Sequence, residues 1–193
     1  MDLTTELPDA LLVTNYLNGN TNAFSILIHR HKTRIYTSIL LLVKDKYLTE
    51  DLFQETFIKI IDKLNSGSYK EEGKFLPWAM RIAHNLCIDH FRKIKRLPKI
   101  LTSDNKDVFE FMNIVEPSAE EKIIKQQSAN TINKMLDLLP EDQREVIILR
   151  HYAGLSFKDI AFVMKCSINT ALGRMRYGLN NLRKIMEQKQ IQL

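Results

Sequence analysis

The sequence predicts an all-α protein of two small helical domains joined by a flexible linker, the second a helix-turn-helix domain. Three observations carry this. The 193 residues contain only 6 Gly and 5 Pro, too little turn punctuation for a sandwich or barrel of many short strands. Apolar residues recur at three- and four-residue steps through most of the chain, and no strict alternation competes with them. The helical pattern lapses between residues 97 and 117, where Pro98, Ser103, Asp104, Asn105 and Pro117 collect. That lapse divides the chain into a first domain over 1–96, a linker over 97–117 and a second domain over 118–193.

The elements follow in order. Pro8 opens a helix over 9–17 and Asn18-Gly19-Asn20 closes it. Phe24, Leu27, Ile28, Ile35, Ile39 and Leu42 mark one face of a long helix over 22–43. Thr49 offers an N-cap, with Glu50 and Asp51 in a first turn where the helix dipole favours acids, for a helix over 49–64. Asn65-Ser66-Gly67-Ser68 breaks it, and a polar loop leads to Pro77 in the first turn of a helix over 75–95. Beyond the linker, Ser118 and Glu121 form a capping-box pair opening a helix over 118–139, which Pro140 ends. Three helices complete the chain: 141–152 stopped by Gly154, 157–164 capped by Ser156, and 168–188 capped by Ser167.

A chain that is 45% hydrophobic and 26% charged has ordinary globular composition, which argues against disorder, collagen and low complexity. Cys87 and Cys166 are too few for a disulfide scaffold. The start, with Asp2 and Glu6 where a signal peptide would be basic, lacks a sustained apolar core. The longest apolar run, 39–43, is far short of the roughly 20 residues that cross a membrane. The expectation is a cytoplasmic protein. The formal net charge of +5 is uninformative until it is divided: residues 1–73 carry −2, 74–99 carry +6, 100–128 carry −3 and 129–193 carry +4. Two basic segments flanking an acidic one suggest two contacts with one polyanion.

The second basic segment contains the more specific pattern. Residues 155–183 read as a short helix, a turn with a fresh Ser cap and a longer helix, with Ala161 small enough for the close approach that a helix-turn-helix requires. Met175, Leu179, Leu182 and Met186 step by 4, 3 and 4 as an inward stripe. Ser167, Asn169 and Thr170 at the N-terminus of the second helix, then Arg174, Arg176 and Tyr177, are placed to reach phosphates or base edges. A capped amphipathic hairpin with a solvated Arg face is the plainer alternative.

In the first basic segment, Ala79, Ile82, Ala83 and Leu86 suit a core face, while Arg81, Asn85 and Arg92, with Lys93 beside them, form a polar face able to lie on DNA. Phe75 and Trp78, next to a polar loop, are placed to stack on unpaired bases, although Trp78 serves equally well as a buried anchor. His84, Cys87 and His90 at three-residue steps invite a metal reading. Such steps place only neighbouring pairs on one helix face, and no fourth ligand is evident, so no metal or other cofactor is expected. No phosphate loop, nucleophile elbow or His-Glu-x-x-His pattern is present, which points away from an enzyme.

Taken together, YLNGNTNAF, EDLFQETFIKI, GKFLPWAMRIAHNLCIDHFRK and LPEDQREVIILRHYAGLSFKDIA, in that order, resemble a bacterial RNA polymerase sigma factor of the sigma-70 family, extracytoplasmic-function (ECF) subfamily. The resemblance spans nearly the whole chain except the linker. It implies region 2 over the first domain and region 4 over the second, and a factor that binds core polymerase and directs promoter-specific initiation. Asp51, Leu52, Gln54, Glu55 and Phe57 then match the surface that binds the clamp helices of the largest polymerase subunit. Phe75, Trp78, Arg81, Asn85, Arg92 and Lys93 fall in the part that captures and holds the −10 element. Ser167, Asn169, Thr170, Arg174, Arg176 and Tyr177 fall in the −35 recognition helix. The flap of the second-largest subunit is a further implied partner, and many relatives are restrained by an anti-sigma protein.

One departure concerns rotation of the recognition helix. Where relatives often carry Gly-Thr-Val-Lys-Ser-Arg, this chain has Asn169-Thr170-Ala171-Leu172-Gly173-Arg174. The spacing of Leu172 from Met175 and Leu179 suggests an inward side chain, whereas the family pattern would turn it outward. A stand-alone helix-turn-helix regulator is the alternative function, and the 51–57 helix is the feature such a regulator does not need.

Overall fold

The computed structural model describes residues 7–70, 72–96 and 132–189. Seven helices are delimited: α1 (Asp9–Leu17), α2 (Thr21–Val43), α3 (Lys46–Asn65), α4 (Phe75–Arg96), α5 (Glu141–His151), α6 (Phe157–Met164) and α7 (Ile168–Lys189). Helical residues 132–136 precede α5. The expected linker, the Ser118–Glu121 capping box and most of the helix expected over 118–139 lie outside the described residues.

In the first module α2 is central, with α1, α3 and α4 packed on it. Leu27, Ile35 and Ile39 of α2 meet Leu12, Ile60, Phe75 and Met80 in a fully buried core. A second polar fastening ties α1 down. The Asp9 carboxylate accepts from Arg30 at 2.6 Å and pairs with His31 Nε2 at 2.8 Å. Burial works to raise the Asp9 pKa, but the hydrogen bonds and positive charge of His31 and Arg30 outweigh it and hold the carboxyl below its ordinary value.

The start of α3 differs from the expectation. Lys44 takes a left-handed φ of 59° and ends α2, and the Asp45 side chain immediately caps the next helix by accepting from the Leu48 N–H at 2.9 Å. Thr49 therefore lies inside α3, where its hydroxyl donates to the Asp45 carbonyl at 2.6 Å. A threonine hydroxyl can cap or bond back to the preceding turn, and the local sequence does not separate the two.

The second module is α5, α6 and α7, packed pairwise around Ile148, Leu149 and Ile160. Ser156 caps α6 by accepting from the Asp159 N–H at 3.2 Å, and Ser167 caps α7 by accepting from the Thr170 N–H at 3.0 Å. The inward stripe of α7 is Ala171, Met175 and Gly178, continued by the half-buried Leu182 and Ile185. Leu179, expected to face inward, is 45% exposed. Gly178 occupies the position next to α5 because the helices approach too closely for a side chain: a Cβ there would lie 2.9 Å from Ile147 Cδ1 and 3.4 Å from Gln143 Cβ. A count of apolar residues passes over a glycine contact and selects its neighbour.

The two modules touch. α6 packs on α4, α5 reaches α2, and Lys44 Nζ lies 2.6 Å from Asp137. Buried residues of both modules join in one continuous apolar cluster.

Candidate nucleic-acid interface

The face of α4 that carries the first candidate set begins in an aromatic nest. Trp78 is half-buried, its ring centroid 4.3 Å from Tyr69 and 5.9 Å from Phe75. Trp78 is thus both anchored and partly open, as its two sequence readings allowed. Phe75 is only 1% exposed and sits beside His31 and Tyr69. That corrects the expectation of a stacking ring at this position. An aromatic at a helix start beside a polar loop can turn either way, and here the α2 core takes it. Tyr69, not foreseen, is the second aromatic of the nest.

Further along α4, Arg81 and Asn85 are half-buried, and Arg92 and Lys93 are exposed. The Arg81 guanidinium lies over the Phe162 ring of α6, 4.3 Å from its centroid, a favourable cation–π geometry. His84 Nε2 lies 3.2 Å from Glu145 Oε2 of α5, both side chains 8% exposed. Lys74 and Lys95 approach Asp159 and Glu141 at 3.9 and 4.0 Å. A cleft of ≈580 Å³ between the modules is lined by Asn85 and Arg92 from one side and Glu141, Asp142, Glu145 and Arg174 from the other.

On α7, Ser167, Asn169, Thr170, Arg176 and Tyr177 are exposed. Arg174 is turned toward α5 instead, its Nε 3.1 Å from Asp142. Leu172 is 43% exposed, so it faces outward with Asn169 and Arg176, as the resemblance and not the apolar spacing implied.

On α3, Asp51, Gln54 and Glu55 are exposed while Leu52 and Phe57 are buried. The two apolar residues shape this surface from beneath and do not lie on it, a correction to the expectation for them. The outward apolar member is Ile58, 58% exposed, whose i+7, i+4 and i+3 spacing from Asp51, Gln54 and Glu55 was the available signal.

Cys87 is buried, and burial, with the Glu145 charge nearby, pushes its thiol up to about 12. A thiol so far from ionising is a packing residue. Among the described residues no group of three His, Cys, Asp or Glu could hold a metal ion, and no helix is long and apolar enough to cross a membrane.

Residues 27–97 match the family Sigma-70 region 2, and residues 129–174 match Sigma-70, region 4. The RNA polymerase sigma-H factor of Pseudomonas aeruginosa is 30% identical over 175 residues, 89% of this chain and 90% of that protein. The chain belongs to the sigma-70 family. The ECF RNA polymerase sigma factor SigX of Bacillus subtilis, 30% identical over 168 residues that span 85% of this chain and 84% of that one, places it in the ECF group. It is an RNA polymerase sigma factor, directing promoter-specific transcription. The fold agrees: the sigma factor RpoE of Bartonella quintana, solved with the anti-sigma factor NepR, aligns with a TM-score of 0.62 at 21% identity, covering 85% of this chain and 96% of that one. The candidate residues on α4 lie within the region 2 match, and Ser167, Asn169, Thr170 and Arg174 within the region 4 match, with Arg176 and Tyr177 just beyond it.

Proposed function

We propose that the first domain, residues 1–96, binds core polymerase and the −10 element, that 97–117 links it to the second, and that residues 118–193 read the −35 duplex. Asp51, Gln54, Glu55 and Ile58 on α3 form the surface for the clamp helices of the largest subunit, an acidic and apolar stripe suited to a helical partner. Trp78, Arg81, Asn85, Arg92 and Lys93 hold the separated −10 strand, Trp78 stacking on a base and the cations tracking phosphates. The unstacked base gains this pocket in exchange for its lost stacking, so melting is driven by binding and needs no covalent chemistry.

The α7 N-terminus, with Ser167, Asn169, Thr170, Arg176 and Tyr177, lies in the −35 major groove. Leu172 adds an apolar contact suited to a thymine methyl group. The factor acts in the cytoplasm, the second domain also meets the flap of the second-largest subunit, and an anti-sigma protein, as NepR is for RpoE, restrains it.

The observation that carries this reading is the exposed stripe on α3, which a stand-alone DNA-binding regulator does not need. Run-off transcription with purified core polymerase on a genomic promoter library tests it. Defined start sites that disappear with Asp51→Lys support it; DNA binding by the chain with no transcript and no retention of core overturns it.

A further inference from the structure

α4 carries cations on two sides, and only one side finds partners in the fold. Toward the second module, Lys74 lies 3.9 Å from Asp159, Lys95 4.0 Å from Glu141, and Arg81 covers the Phe162 ring. Toward α3 the same helix presents Asp89, Lys93 and Arg96 at steps of four and three residues, opposite Glu55 and Lys59, which stand one turn apart on α3. Between the two helices runs a groove of ≈320 Å³, floored by the buried Leu52 and Leu86. Both of its carboxylates are already taken within their own helices, Glu55 by Lys59 at 3.0 Å and Asp89 by Arg92 at 3.3 Å. Lys93 and Arg96 meet no carboxylate among the described residues, and His90 stands beside them in the wall. Basic residues at the end of α4 suit the helix dipole, but the dipole does not account for Lys59, which reaches the groove from a different helix. Cations gathered around one concavity repel each other and raise the local concentration of anions.

We propose that the α3–α4 groove is a phosphate site that takes two or more adjacent phosphate groups, those of a nucleic-acid backbone or of a free oligophosphate. Its volume suits a small ligand. The Arg96 guanidinium offers a two-pronged contact to phosphate oxygens, and Lys59 and Lys93 act as point charges on either side. Lys59 gives up little to turn toward a phosphate, because an exposed i, i+4 pair such as the one it makes with Glu55 is weak. The site shares Arg92 and Lys93 with the face assigned to the −10 strand and adds Lys59, His90 and Arg96, so it stands or falls separately from that assignment.

The experiment titrates the full chain with inorganic tripolyphosphate by calorimetry, and with a fluorescent single strand of the −10 sequence by anisotropy over a range of salt concentrations. Lys59→Gln and Arg96→Gln each remove an exposed cation of the groove, Lys184→Gln on α7 removes the same charge elsewhere, and circular dichroism confirms the fold of each variant. Both groove variants should weaken at least one of the two ligands about three- to five-fold, while Lys184→Gln does not. A loss confined to tripolyphosphate assigns the groove to a free oligophosphate. A loss with the strand, its salt slope shallower by about 0.7 for each contact removed, assigns it to the backbone. Groove variants no weaker than Lys184→Gln toward either ligand overturn the site. Trp78→Ala keeps the two readings apart: it weakens the strand if the −10 assignment is right and leaves tripolyphosphate binding unchanged.

Discussion

The two proposed DNA faces are made from the same material, an Arg-bearing helix with polar residues on one side, yet the structure treats them in opposite ways. On α7 the outward residues Asn169, Thr170, Arg176 and Tyr177 are exposed. On α4 Arg81 and Asn85 are half-buried, and His84 is closed off beside the Glu145 carboxylate, Nε2 to Oε2 3.2 Å. A duplex can dock on the first face without rearrangement. The second is partly covered by the second module, with Arg81 over Phe162 and His84 beside Glu145.

The difference is broken most severely by parting α7 from α5. Gly178→Val forces a branched side chain into a 2.9 Å contact with Ile147 and should cost about 2–3 kcal/mol in a thermal or denaturant melt, with −35 binding lost. Gly173 has open space around it, so Gly173→Ala should instead stabilise by up to about 1 kcal/mol. Equal effects of the two substitutions would refute the rotation assigned to α7.

A cross-comparison of the faces comes next in size. Trp78→Ala should weaken binding of the −10 strand by about 1–3 kcal/mol and leave a −35 duplex unaffected. Arg176→Ala should do the reverse, with a shallower salt dependence if Arg176 meets a phosphate. Titration of each DNA by fluorescence anisotropy reads both. Loss of both activities in either variant would mean that the faces are not separate.

Acid should loosen the fastening of α1 in the first module. Because the folded-state pKa of Asp9 lies below its ordinary value, the fastening of α1 to α2 contributes fully above the unfolded carboxyl value of about 3.9 and is lost as pH falls through the lower folded value. Asp9→Asn should remove that dependence, so the parent and variant stabilities should begin to approach one another as pH falls below about 4 and meet only below the lower folded value.

The smallest effect concerns Leu172. Replacing thymine by uracil in a −35 duplex removes only methyl groups, and should weaken binding by the parent about two- to three-fold while leaving Leu172→Lys indifferent.

How legible this was in the sequence differs between the faces in the same way. α1, α6 and the start of α7 were readable to the residue, since Pro8, Ser156, Gly154 and Ser167 act within a turn of where they stand. The exposure of Ser167, Asn169, Thr170, Arg176 and Tyr177 on α7 was readable as well, but that of Arg174 was not, since Asp142 of α5 draws it aside. Phe75, Leu52 and Phe57 were not, since their burial depends on helices packed from elsewhere in the chain. The Leu179 expectation failed because Gly178 carries no side chain to count. Glu141 and Asp142 lie in the first turn of α5, where acids suit the helix dipole, and only the tertiary arrangement shows what they and Glu145 face.

The closed arrangement itself is the central claim, and a distance measurement tests it most directly. Cys87 is buried and its thiol pushed up to about 12, so spin labels can be placed at exposed Lys63 on α3 and Lys184 on α7 once Cys166 is replaced by Ser. Pulsed electron resonance on the free full chain should give one narrow distance distribution, which lengthens and broadens when core polymerase is added. A broad distribution in the free chain, unchanged by Glu145→Gln, would contradict it.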